Sequence, residues 1–248
     1  MNTLKPIVGI VSKPVNMTKG HLWHRFTLVD DLRFLVVKNG GIAIGILPSE
    51  ETLEFHWEDD LVVKSLSYSE IQDLDQELQL CQGLILQGGL ASNFYEVVLA
   101  KLALARDMPV LGICAGFNNL LRAMGGDVVY DKTESHNIEN AEFRHKVLIR
   151  EGTKLAEILG KREILTNSIH TMIATEEMVA PYARVNAVSE DGLVEGFEIL
   201  RKRFAVGTKW HPELLKDDEA TKKLFAEFMR AVWDYAQAEE LSGKALAK

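Results

Sequence analysis

Short apolar runs rich in β-branched residues alternate along this chain with stretches of helical periodicity. Ile7 to Val11 predicts a first strand. Thr27 to Lys38 has helical spacing and stops at Asn39-Gly40-Gly41, a glycine stop signal. Ile42 to Leu47 predicts a second strand, ended by Pro48, and Ser69 to Leu80 a second helix. Gly83 to Gln87 predicts a third strand, closing on Gly88-Gly89. A helix over Phe94 to Arg106 breaks at Pro109, and a strand then leads into Cys114, with a helix-like stretch from Phe117 to Met124. Strands that are hydrophobic almost without interruption, alternating with helices, predict a parallel sheet covered on both faces.

After Gly126 the pattern becomes shorter and more β-like. Asp127–Tyr130, Lys146–Arg150, Val185–Ser189, Val194–Ile199 and Phe204–Lys209 predict further strands, some of them antiparallel additions. A last long helix is expected from about Glu219 to Ala238, with Leu241 to Lys248 a frayed tail. No repeat, low-complexity stretch or Pro/Gly/Ser linker interrupts the chain. The expectation is one α/β domain over residues 1–240: a mostly parallel central sheet flanked by helices, with extra antiparallel strands.

The bulk properties narrow the function. A formal net charge of −8 lacks the basic footprint of a nucleic-acid binder. No apolar run approaches the roughly 20 residues that span a bilayer, and the first residues show no leader layout. The only cysteines, Cys81 and Cys114, suit a reducing compartment, so a cytoplasmic location is expected. Cys81 reads as structural. Met17 to Arg25, with Lys19, His21, Trp23 and His24, follows the first strand and reads either as a ligand loop at the carboxyl edge or as a solvated loop.

Cys114 carries the sharpest chemical signal. An apolar strand runs into Gly112-Ile113-Cys114-Ala115-Gly116 and a helix follows at once, the layout of a nucleophile elbow. The start of that helix favours thiolate over thiol. The alternative is an inert core cysteine, since Cys is among the most often buried residue types. A nucleophile needs a base and a group to orient it. His211 is the best candidate base, because a strand ends there in Trp210-His211-Pro212-Glu213, with a carboxylate two residues on. The Ala115 N–H and a donor from Gly89 can form an oxyanion hole. No Cys-x-x-Cys or His-Glu-x-x-His spacing points to a metal, and no cofactor is expected. Glu195 and Glu198 read as half-buried or surface strand residues, and His136 as a surface or pocket-rim residue.

In chain order these elements form a Gly-Gly strand end, a Gly-x-Cys-x-Gly elbow and a His-Pro-Glu strand end. The chain thereby resembles the class I glutamine amidotransferase-like family with its Cys-His-Glu triad. Within that family it most resembles the stand-alone γ-glutamyl hydrolases of the peptidase C26, γ-glutamyl-γ-aminobutyrate hydrolase-like group. Thr166-Asn167-Ser168-Ile169-His170 resembles the group's Asn-Ser-x-His segment beside the substrate, and Ser189 to Gly196 its Ser-x-Asp-Gly-Leu-Val-Glu run. The resemblance implies a flavodoxin-like fold with Cys114 as nucleophile, His211 as base and Glu213 as its orienter. It implies Gly89 and Ala115 as the oxyanion hole, and Gly88, Ser168 and His170 at the substrate. His170 also fits a purely structural role at a strand end.

Three departures bear on the pocket. Ala115 stands where members often have Arg, Gln87 where they usually have Pro, and Thr208-Lys209 where they often have Gln. The expected activity is hydrolysis of γ-glutamyl amide bonds in small molecules through a thioester, by a possible homodimer without nucleic-acid or membrane partners. The alternatives are a glutaminase subunit that supplies ammonia to a separate synthase, and a non-catalytic protein that binds γ-glutamyl ligands.

Overall fold

The strands expected from the apolar runs assemble edge to edge in one sheet. The computed structural model describes residues 4–15, 25–49, 65–89 and 94–246; of the Met17–Arg25 stretch, read as a ligand loop or a solvated loop, residues 17–24 lie outside them. In chain order the elements are β1 (Ile7–Val11), β2 (Lys13–Val15), β3 (Arg25–Thr27), α1 (Asp30–Lys38), β4 (Ile42–Ile46), α2 (Tyr68–Gln79), β5 (Gly83–Leu86), α3 (Phe94–Ala105), β6 (Val110–Ile113) and α4 (Ala115–Ala123). There follow β7 (Val129–Tyr130), β8 (His145–Ile149), α5 (Lys154–Leu159), β9 (Glu163–Thr166), β10 (Met172–Ile173), α6 (Glu176–Val179), β11 (Arg184–Ser189), β12 (Val194–Glu198), β13 (Ala205–Thr208), a 3-10 turn (Pro212–Leu215) and α7 (Glu219–Leu246).

The 9-stranded sheet has the order β4-β1-β5-β6-β13-β12-β11-β8-β9. The strands from β4 to β13 run parallel. From β13 through β12, β11 and β8 to β9 every pairing is antiparallel. The expected class therefore holds, a mostly parallel α/β core extended by antiparallel strands, and β13 is the hinge between the two regimes.

Two buried clusters explain why the parallel strands read as unbroken apolar runs. Leu84 and Leu86 of β5 and Val110 of β6 face the layer of α2, α3 and α4. Ile85, Leu111 and Ile113 face the layer of α1, α5 and α7. Successive residues point to opposite faces, and here both faces are covered. Helix α2 starts on a capping box, with Ser67 accepting from the Glu70 N–H and Glu70 accepting from the Ser67 N–H.

Several local readings shift. The first helix begins at Asp30 rather than Thr27, because Arg25–Thr27 pairs with Lys13–Val15 as a small antiparallel ribbon. The last helix continues past Ala238 to Leu246. Glu195 and Glu198 are not half-buried or surface strand residues: they are 0% and 5% exposed, on a strand flanked on both sides. His136 is likewise buried rather than at a rim.

Candidate active site

Three neighbouring strands, β5, β6 and β13, end at the same carboxyl edge, so the turns after them meet. Gly88-Gly89 follows β5, Cys114 follows β6, and Trp210-His211 follows β13. Residues far apart in sequence are thus brought together by strand order alone, at the edge where ligands bind in open α/β sheets.

Cys114 sits at the junction of β6 and α4 with φ 52° and ψ −104°, a backbone conformation unusual for a side-chain-bearing residue. Such strain persists only where the surroundings over-determine it. Its N–H donates to the Thr208 carbonyl at 2.8 Å, tying the turn to β13. The flanking glycines answer to space. A Cβ at Gly116 would fall on the Leu86 carbonyl, and one at Gly112 would stand 2.6 Å from the Gly116 oxygen. Without side chains at both positions, the first turn of α4 can lie directly on the β5 and β6 backbones.

His211 and Glu213 form the second half. The imidazole Nδ1 stands 2.7 Å from Glu213 Oε1, and Glu213 is 1% exposed. Burial opposes charge on both Cys114 and His211, but each offsets it for the other. Burial pushes the Cys114 thiol up, yet the His211 charge and hydrogen bond, with Lys209 beyond, bring it below its ordinary value. Burial likewise pushes His211 down, and the Cys114 thiolate and Glu213 carboxylate hold it well above the usual imidazole value. Each group thus favours the charged form of the other. Cys81 is the contrast: buried without such a partner, its thiol is pushed up to about 12, as expected of a structural cysteine.

The thiol opens on a cavity of about 210 Å³ lined by Gly89, Ala115, Asn118, His170, Lys209 and His211, among others. That volume is below the roughly 300–1,000 Å³ of drug-sized sites and suits an amino-acid-sized group. Gly89 and Ala115 flank Cys114 there. Of the three residues expected at the substrate, His170 lines the cavity. Gly88 instead packs under His211, since a Cβ on it would meet the ring at Cε1. Ser168 faces away from the cavity lining: its hydroxyl donates to the His136 carbonyl at 2.9 Å.

Two residues at the site had no assigned role in the sequence reading. Asn167 accepts from the His211 N–H and donates to the His211 carbonyl, both at 2.8 Å, and so clamps the backbone that carries the imidazole. Its signal was present in the Asn-Ser-x-His run, but no local spacing connects it to His211. Lys209 is 0% exposed, donates to Asn118 Oδ1 at 2.8 Å and lines the cavity. Of the departures, Ala115 and Lys209 change the cavity wall. Gln87 does not; its side chain bonds Thr27 and Val29 and ties the end of β5 to the entrance of α1.

Among the described residues no helix is long and apolar enough to cross a membrane. Comparison with known proteins gives consistent likenesses. A γ-glutamyl-γ-aminobutyrate hydrolase of Shigella flexneri is 30% identical over 161 residues, covering 60% of this chain and 63% of that protein. The protein of that name from Escherichia coli O157:H7 is 31% identical over 148 residues, covering 54% and 58%. The chain thus spans under two thirds of the length of these curated relatives. The glutaminase domain of a Trypanosoma brucei CTPS, solved with bound acivicin, superposes with a TM-score of 0.63 at 16% identity, covering 93% of this chain and 94% of that one. At that identity the likeness is one of fold. The Peptidase C26 family profile matches residues 90–213, which contain the elbow, the Asn-Ser-x-His segment and the His-Pro-Glu turn, and the chain belongs to the Peptidase C26 family.

Proposed function

We propose that this chain hydrolyses γ-glutamyl amide bonds in small molecules by a covalent route through Cys114. The observation that carries the reading is that Cys114, at the elbow, and His211, held 2.7 Å from Glu213 Oε1, line one amino-acid-sized cavity. The Cys114 thiolate attacks the γ-carbonyl, and the oxyanion is received by the N–H groups of Gly89 and Ala115. His211 gives its proton to the leaving amine, and the C–N bond breaks to leave a γ-glutamyl thioester. The same imidazole, now neutral, takes a proton from water, whose attack releases glutamate and restores the thiolate. Glu213 keeps the ring oriented through both steps. His170, at the cavity wall, is a candidate substrate contact.

The test is amine release from glutamine, γ-glutamyl-γ-aminobutyrate, a γ-glutamyl anilide and a γ-glutamyl dipeptide, with Cys114→Ala as control. The expected result is turnover of at least one member, lost in the control. No turnover of any member would overturn the stand-alone hydrolase. Fast alkylation of Cys114 would then favour a glutaminase subunit awaiting a synthase, and an inert thiol would favour a ligand-binding protein.

A further inference from the structure

Behind the Ile169–His170 wall of the cavity lies a second polar cluster that the proposed hydrolysis does not use. His136 comes from the loop after β7, His145 opens β8, and Glu195 lies in β12. Their ligand atoms all lie within 4.8 Å of one another. Glu195 is 0% exposed, and neither of its carboxylate oxygens has a hydrogen-bond partner among the described residues. Ring nitrogens of His136 and His170 stand 3.3 and 3.4 Å from Oε1, close enough for attraction but not aligned as hydrogen bonds. The Nε2 of His145 is also buried without a hydrogen-bond partner. A buried carboxylate left in this state is costly unless a cation satisfies it.

The surroundings are those of a ligand set. His136 Nε2 stands 2.9 Å from Asp191 Oδ2, and Asp191 in turn accepts from the Ser189 hydroxyl. A carboxylate on the far nitrogen fixes the tautomer of a metal-binding imidazole; the near nitrogen, here the one facing Glu195, also stands 3.1 Å from the Ser168 hydroxyl, which an incoming ion would displace. A side cavity of about 220 Å³, lined by His136, His145, Ser168, Glu190 and Asp191 among others, gives access from the surface with two carboxylates at its wall. Two imidazole nitrogens and a carboxylate oxygen, with a further position open to water, are a donor set of zinc type. Zinc bonds of about 2.1 Å place neighbouring ligands roughly 3.4 Å apart, so modest rotations of the two rings close the set.

We propose that His136, His145 and Glu195 form a binding site for one divalent ion of the zinc class. The site is separate from Cys114 and does not depend on the hydrolase reading. It shares Glu195 with His170, so a bound ion draws that carboxylate away from a residue of the cavity wall. The rival occupant is a proton, because Glu195 and Asp191 hold the His136 imidazole up at about 9.

The test uses the full chain after chelator treatment and dialysis. Titration with zinc chloride followed calorimetrically should give one equivalent per chain. Uptake should persist in Cys114→Ala, which removes the obvious competing thiolate, and weaken at least 100-fold in Glu195→Gln and His145→Gln. Cobalt(II) added to the parent should give visible d–d bands of a nitrogen and oxygen site without a thiolate charge-transfer band. That spectrum needs no variant, so misfolding of a substituted chain does not leave the question open. Absence of stoichiometric uptake, uptake that vanishes in Cys114→Ala, or a thiolate charge-transfer band would each overturn the proposal.

Discussion

Cys114 is held in a conformation that its own backbone disfavours, and against burial its thiolate form is favoured mainly by His211, with Lys209 beyond. That dependence has a measurable consequence. The rate of iodoacetamide labelling should rise with pH through a midpoint below that of an ordinary thiol, because thiolate is the reactive form and its pKa is lowered. In His211→Gln the opposing cation is gone while burial remains, so the midpoint moves upward and labelling at neutral pH slows at least tenfold. An unchanged midpoint would mean that His211 does not set the charge of Cys114. A second prediction concerns Asn167, which bonds both the N–H and the carbonyl of His211. Asn167→Ala should leave the chain folded and Cys114 present but lower kcat about 10- to 100-fold with little change in KM, since misplacing a proton-transfer group costs rate rather than binding. A loss confined to KM would place Asn167 at the substrate instead. Cys114, His211 and Glu213 were legible because each closes an apolar strand in a short local motif. The Asn167 clamp, the burial of His136 and the convergence of His145 with Glu195 were not legible, because they depend on which distant strands become neighbours.

At the scale of elements, the legible parts are those whose pattern is set by burial on two faces. β1, β5, β6 and the helices α2 and α3 follow the apolar runs to within a residue or so. The elements that leave no clear pattern in the sequence are short or half-exposed. β9 alternates exposed and buried residues over only Glu163–Thr166, and the α5 pattern covers little more than a turn and a half. The ribbon of β2 and β3 hid inside a stretch with acceptable helical spacing, and only the pairing partner reveals it. The elbow tests how strictly two elements are matched. Gly116→Ala puts a methyl group on the Leu86 carbonyl, and backbone on both sides prevents relief. The expected cost is about 1–3 kcal/mol in chemical denaturation, from overpacking. Because the same shift tilts the first turn of α4, Cys114 labelling should slow in the folded variant as well. A stable variant with unchanged labelling would show that the α4–β5 contact has slack.

Across the whole molecule, the helix layer farthest along the chain supports the strands that carry the site. Phe225, Phe228, Met229 and Val232 of α7 belong to the same buried cluster as Val8, Ile85, Leu111 and Ile113. Phe228 meets Phe204 at a ring-centroid distance of 5.4 Å in a T-shaped contact, just before β13 begins. A Cβ at Gly83, where β5 starts, would touch both Val232 and Phe228, so α7 lies directly on the sheet. The carboxyl-edge geometry of Cys114 and His211 therefore rests on packing from the opposite end of the sequence. Phe228→Ala removes a fully buried ring from this layer and should cost about 3–5 kcal/mol. If the sheet and its two helix layers are one cooperative unit, tryptophan fluorescence and exposure of Cys81 to a thiol reagent should report one transition, shifted equally in the variant. Cys81 is the informative probe, since it is buried in the other cluster, across the sheet from Phe228. Early exposure of Cys81, with the fluorescence transition unmoved, would show instead that the two faces of the sheet unfold separately and that α7 does not secure the edge on which the site is built.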